Sequence, residues 1–139
     1  MRSLALDLGD RRIGVAISDT LGMLAHPLET FRRGSRVSDF AHIQTLIDHH
    51  AVGAVVAGLP LNMDGTEGKQ AAWVRDYTKA LSEAISMPVA LWDERLSSAE
   101  ARELLGLRGR PKDKGRIDAA AAAVILQGYL NAQEGRSPV

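Results

Sequence analysis

Three carboxylate positions in this chain invite a chemical reading. Asp7 lies inside an alternating stretch, residues 3–8, in which Leu4, Leu6 and Leu8 point one way and Ala5 and Asp7 the other. An acid is disfavoured within a strand, and a buried carboxylate without a partner is costly. Asp93 and Glu94 directly follow an apolar run and so stand at the carboxyl end of a strand, where open α/β sheets place ligands. Asp118 shares a helical face with Ala122, Ile125 and Tyr129. Taken singly, each has an ordinary explanation: a hydrogen-bonded Asp7, a solvated loop in which Arg95 pairs with Asp93 or Glu94, a first-turn acid that favours the dipole at Asp118. The last accounts for where Asp118 stands along its helix but not for the apolar face it occupies. Converging from a strand, a strand end and a helix, the three positions would make an all-oxygen site, which suits Mg²⁺ or Mn²⁺. Two such ions about 3.5–4 Å apart can activate water and stabilise the leaving oxygen of a phosphodiester, with no base of shifted pKa required.

Basic groups flank these acids. Arg11 and Arg12 follow Asp7 by a few residues, and Arg108, Arg110, Lys112, Lys114 and Arg116 recur at every second position just before Asp118. Such a run is usually a solvated charge stretch. Its place beside Asp118 favours contact with a nucleic-acid backbone, directed at phosphate and carrying little sequence information. Arg32, Arg33 and Arg36 are weaker candidates for the same role. The loop Gly58-Leu59-Pro60-Leu61-Asn62 with Gly65 either offers backbone amides to a phosphate or is simply a tight turn into the next helix. His26, His42, His49 and His50 show no zinc spacing and read as structural or surface residues.

The elements that must position these groups follow from periodicity. The strand at 3–8 is followed by a turn at Gly9-Asp10-Arg11-Arg12, and a second strand carries Ile13, Val15 and Ile17 on one face. Its other face holds Gly14, Ala16 and Ser18, small enough for something to approach closely. A third strand over about 22–31 completes an antiparallel meander. Val37, Phe40, Ile43 and Ile47 predict one face of a helix. Residues 52–58 are an unbroken apolar run, typical of a central strand. Val74, Tyr77, Leu81 and Ile85 mark a second helix, and residues 88–92 a fifth strand. A helix over 97–105 opens on a capping box, Ser97 with Glu100. A basic loop at 106–115 precedes an alanine-rich helix from 116 to about 131, with a frayed tail from Gln133. The expected fold class is α/β: a five-stranded mixed sheet, three antiparallel strands then two parallel ones, with helices on both faces.

Bulk properties set the frame. At 139 residues, 45% hydrophobic and 24% charged, the sequence predicts one globular domain over 1–139. No stretch reaches membrane-spanning length, the N-terminus lacks the form of a signal peptide, and cysteine is absent, so a cytoplasmic location is expected. The 17 basic and 17 acidic residues cancel, which alone argues mildly against a nucleic-acid binder. Arginine outnumbers lysine among the basic residues, and arginine suits bidentate phosphate contacts. With aromatics at 4%, base stacking cannot dominate any binding.

Four segments resemble, in order, the motifs of the YqgF (RuvX) family. They are Leu6-Asp7-Leu8-Gly9-Asp10-Arg11-Arg12-Ile13-Gly14-Val15-Ala16; Gly58-Leu59-Pro60-Leu61-Asn62 with Asp64-Gly65-Thr66; Asp93-Glu94-Arg95-Leu96-Ser97-Ser98; and Asp118-Ala119-Ala120-Ala121-Ala122. The resemblance implies an RNase H-like fold related to the Holliday-junction resolvase RuvC. It implies a metal-dependent nuclease that matures the 5′ end of pre-16S ribosomal RNA or resolves Holliday junctions. It implies catalytic roles for Asp7, Glu94 and Asp118 and metal ligation by these with Asp93. Arg11, Arg12, Asn62, Arg95, Arg108, Arg110, Lys112, Lys114 and Arg116 are the candidate substrate contacts. Structured RNA is the favoured partner and branched DNA the alternative, with ribosomal precursor particles a further possibility; the oligomeric state stays open. One departure stands out. RuvC carries its second carboxylate at the end of the fourth strand, where this chain reads Gly58-Leu59-Pro60, and the acids come one strand later. With strand order 3-2-1-4-5, either Glu94 reaches across or the site is more open than that of a resolvase.

Two further readings bracket this one. Asp7-Leu8-Gly9 followed by Gly14 resembles the first phosphate loop of actin-type sugar kinases, but the chain is too short for two lobes around a nucleotide. A non-catalytic nucleic-acid-binding module would keep the fold without the chemistry.

Overall fold

The computed structural model describes residues 1–96 and 114–135, with the side chains of the last helix described from 118 to 133. Strands β1 (Arg2–Leu8), β2 (Arg12–Ser18) and β3 (Ala25–Arg32) form the antiparallel meander. Helix α1 (Arg36–His50) leads to β4 (Val52–Leu59), parallel to β1, and α2 (Lys69–Ile85) leads to β5 (Val89–Asp93), parallel to β4. A 3-10 turn (Glu94–Leu96) follows β5, and α3 (Lys114–Gly135) ends the described chain. The strand order is β3-β2-β1-β4-β5, so β1 is central.

The two sheet faces are built from different residues. Leu4, Leu6, Leu8, Ile13, Val15, Ile17, Val55, Ala57 and Leu59 pack on Ile43, Leu46 and Ile47 of α1 and on Val74, Tyr77, Leu81 and Ile85 of α2. The opposite face is lined by Ala5, Ala16, Ala25 and Val56 against Ala122, Ala123, Leu126 and Leu130 of α3. Small residues on both partners let the α3 backbone lie close to the sheet. Gln127 fixes the register of α3: its buried amide accepts from the Ala25 N–H at 2.9 Å and donates to the Met23 carbonyl at 3.1 Å.

Several boundaries differ from the sequence reading. Val37 is 82% exposed, because Ser35 caps α1 and the helix turns Asp39 inward in its place, where its carboxylate accepts from the Gly34 N–H and the Tyr77 hydroxyl. The third strand starts at Ala25, after a turn in which Gly22 N–H donates to the Asp19 carbonyl. The last helix starts at Lys114 and runs to Gly135, past the expected fraying point. The helix expected over 97–105, and Arg108, Arg110 and Lys112, lie outside the described residues. Among the described residues no helix is long and apolar enough to cross a membrane.

Candidate active site

The backbone around Asp7 is cleared by two glycines. Asp7 pairs with Gly14 on β2, and on its other side it stands one step beyond the Leu6–Ala57 pair, alongside Gly58 of β4. Cross-strand neighbours share a face, so the face that Asp7 presents is bare on both flanks. Each cleared space is filled by one of the other acids. A Cβ at Gly14 would lie 2.0 Å from the backbone oxygen of Asp118, so α3 begins in direct contact with β2. A Cβ at Gly58 would lie 2.7 Å from Oε1 and 2.9 Å from Cγ of Glu94, and 2.6 Å from Cδ1 of Ile125. Glu94 therefore crosses over β4 toward β1, through the space where a side chain at Gly58 would stand.

The electrostatics record this convergence. The Asp7 carboxyl is pushed up to about 7 by burial first, then by the charges of Glu94 and Asp118. Glu94 is also raised, by burial and by the neighbouring Asp93. Asp118 is held differently: Arg12 Nε donates to its Oδ2 at 2.9 Å. Asp7 thus lies between the charges of two other carboxylates, and the Arg12 guanidinium offsets part of the negative charge at Asp118. Among the described residues, no group of three or more His, Asp or Glu side chains is arranged to hold a metal ion as it stands. The donor chemistry nonetheless fits a hard cation, since every contributing atom is a carboxylate oxygen and the charges at Asp7 repel one another.

The remaining candidates are distributed as follows. Asp93 is not directed at Asp7; it is gripped by Arg95, which donates through Nε and Nη2, the latter at 2.8 Å to Oδ2, and this holds the Asp93 carboxyl below its usual range. Arg95 Nη1 also donates to the carbonyls of Asn62 and Met63. Asn62 donates its side-chain amide to Thr66 Oγ1 at 2.9 Å, while Gly65 takes φ +89°. The 60–68 loop spends amides on itself: Asn62 N–H on the Thr66 carbonyl, Gly65 N–H on the Asn62 carbonyl and Thr66 N–H on Asp64 Oδ1. Arg11 is exposed beside the first turn. Arg33 buttresses that turn, donating to the Gly9 carbonyl at 2.9 Å while lying 4.3 Å over the Trp73 ring, and Arg36 pairs with Asp76. Lys114 and Arg116 fall within α3, rather than in a loop. His42 contacts Glu29 at 2.9 Å, well outside the acidic cluster.

Sequence reasoning foresaw the close approach at Gly14 from the small residues of its strand face. Gly58 reads in the sequence as the start of a loop that could offer amides to a phosphate and as the place of a missing acid, not as a passage for Glu94. The signal was available: a glycine level with Asp7, one strand before a pair of acids, is a gap through which a long carboxylate can reach.

The chain resembles known proteins along nearly its whole length. The sequence model of the RuvX family, described as "Holliday junction resolvase", matches residues 1–132. A protein of Thermoanaerobacter pseudethanolicus named "Putative pre-16S rRNA nuclease" is 45% identical over 98% of this chain and 100% of its own length. One of the same name from Halothermothrix orenii is 48% identical over 96% of each chain. Among solved structures, T. thermophilus RuvC in complex with a Holliday junction substrate matches with a TM-score of 0.64 over 99% of this chain and 98% of that one, at 16% identity. That likeness is one of fold, and the mixed five-stranded sheet with its helices is the RuvC-type, RNase H-like arrangement.

Proposed function

For this chain, which belongs to the RuvX family, we propose a metal-dependent nuclease that hydrolyses phosphodiester bonds at the 5′ end of precursor 16S ribosomal RNA, acting as one domain over residues 1–139. The observation that carries the proposal is the passage of Glu94 over Gly58 to the side of Asp7, opposite Asp118. It supplies from β5 the carboxylate that is absent from the end of β4.

Asp7, Glu94 and Asp118 would hold Mg²⁺ or Mn²⁺. A divalent cation held by them would supply water activation and charge neutralisation at the leaving oxygen. Asp7 provides the fixed point, since its strand is central and both neighbours are glycines. Glu94 and Asp118 approach Asp7 from opposite flanks. Arg12 offsets charge at Asp118 and stands where it can take a phosphate oxygen in exchange. Arg11, exposed beside the first turn, would contact the substrate backbone near Asp7. Contacts of this kind read backbone and not sequence, which suits a structured RNA held by a precursor particle.

A second reading, Holliday-junction resolution, is favoured by the description of the family itself. Symmetric cleavage of two strands requires two copies of the site and hence a two-fold dimer. Precursor 16S RNA and a four-way DNA junction, incubated side by side with Mn²⁺ and with chelator, separate the two. We expect Mn²⁺-dependent cleavage of the RNA; paired nicks in the junction alone, by a dimer, would overturn this choice. Cleavage of neither, with RNA binding indifferent to chelator and to Asp7→Asn, would mark a non-catalytic binding module.

A further inference from the structure

Glu94 stands between two residues that are bonded to each other. Asp93 Oδ1 accepts from the backbone N–H of Arg95 at 2.9 Å, closing the 3-10 turn around Glu94. The same Asp93 carboxylate takes the Arg95 Nε and Nη2 donors, and Nη1 reaches the carbonyls of Asn62 at 3.4 Å and Met63 at 3.2 Å. The guanidinium lies directly against this loop, since a Cβ at Gly65 would stand 3.6 Å from Nη1, in ordinary van der Waals contact. These contacts commit all but one of the N–H groups of a guanidinium. No fork is left to grip a phosphate bidentately.

We propose that Arg95, braced on Asp93, is a positioning residue for Glu94: it locks the turn after β5 to the β4–α2 loop and so aims Glu94 across Gly58 toward Asp7. The inference rests on the reading of Glu94 as a site carboxylate. The register of β5 explains why a brace is needed. Trp92 pairs with Gly58 and Asp93 with Leu59, so alternation sets Glu94 on the face of Gly58, but a strand simply continued would carry it two residues, about 6.6 Å, past Gly58. The 3-10 turn breaks the strand at Glu94 and redirects it, and the Asp93 carboxylate is what holds that turn closed.

Arg95→Lys keeps the charge and loses the fork, and Asp93→Asn keeps the shape and loses the charge. The full chain carrying each variant, and both together, is compared with wild type by cleavage kinetics, by RNA affinity in chelator, by Mn²⁺ titration and by amide exchange of residues 60–68 and 94–96. Both single variants should lower kcat and weaken Mn²⁺ binding by about 10- to 100-fold. RNA affinity should stay within about twofold, and the double variant should be no worse than the poorer single one. Exchange in both segments should accelerate together. The proposal is overturned if Arg95→Lys weakens RNA binding while Asp93→Asn changes nothing, which would make Arg95 a substrate contact. It is equally overturned if exchange in the two segments stays at the wild-type rate. A wild-type chain that cleaves no RNA refutes the nuclease reading alone, because exchange and Mn²⁺ binding still decide the role of Arg95.

Discussion

Replacing Asp7 by Asn should stabilise the metal-free protein, and increasingly so as pH rises. The Asp7 carboxyl is pushed from 3.8 to about 7 by burial and by the charges of Glu94 and Asp118. A group whose folded-state pKa is raised contributes its stability below the unfolded pKa, and that contribution is lost as pH climbs through the folded value. At about 1.4 kcal/mol per pKa unit, the fully ionised Asp7 costs the fold on the order of 4 kcal/mol at pH 8, and roughly half of that is already incurred at pH 5.5. Asn has no such charge to desolvate, although it exchanges hydrogen-bonding capacity at a cost that does not vary with pH. The pH-dependent part is therefore the clean signature. Urea denaturation of both proteins in chelator should show the advantage of Asp7→Asn growing by about 2 kcal/mol between pH 5.5 and pH 8. A difference that stays constant with pH, or an Asn variant that loses ground at pH 8, would refute the placement of Asp7 as a buried carboxyl flanked by two other acids. Such a result would also remove the reason to see Asp7 as a site that trades stability for activity.

Three other perturbations test the clearances around Asp7. Gly58→Ala meets the tip of Ile125 and the Glu94 side chain back to its Cγ, so Glu94 must be displaced and unfolding should cost about 1–2 kcal/mol while cleavage falls to the level of Glu94→Gln; near-normal cleavage would contradict the placement of Glu94. Gly14→Ala meets the backbone of Asp118 at 2.0 Å, which no rotamer change relieves, and urea unfolding should record a loss of about 3 kcal/mol or more. Arg12→Gln removes the guanidinium from Asp118, so calorimetry should find Mn²⁺ bound about fivefold more tightly, the equivalent of roughly 1 kcal/mol; weaker binding would mean that Arg12 organises the site and does not compete for it.

Much of this arrangement was legible in the residues. The alternation of Leu4, Leu6 and Leu8 against Ala5 and Asp7 gave both the strand and the direction of its acid, and the period of Val74, Tyr77, Leu81 and Ile85 gave α2 and its buried face. The inward face of Asp118 followed from its spacing to Ala122 and Ile125, both buried on α3. Periodicity could not tell which of Asp93 and Glu94 turns toward Asp7. That choice is made by the register of β5 on β4, which sets Trp92 opposite Gly58 and so Glu94 on its face, and the bond from the Arg95 amide to Asp93 then closes the turn that holds Glu94 there. Nor could it tell that Arg33 is stacked on Trp73 and bonded to the Gly9 carbonyl, because a cation on an aromatic ring across two elements leaves no mark in either element's period. Val37 failed for a related reason: hydrophobic spacing at a helix start competes with the cap, and at Ser35 the cap decides the face.

Catalysis of this kind requires Asp7, Glu94 and Asp118 to act as one unit. The direct measurement is single-turnover cleavage of precursor 16S RNA in Mn²⁺ by Asp7→Asn, Glu94→Gln and Asp118→Asn, alone and in pairs, with RNA affinity in chelator measured in parallel. Each single variant should lose at least about 100-fold in rate with RNA still bound, and the pairs should lose little more, as groups acting together do. Losses that multiply from one variant to the next, or full cleavage by the Glu94 variant, would contradict it.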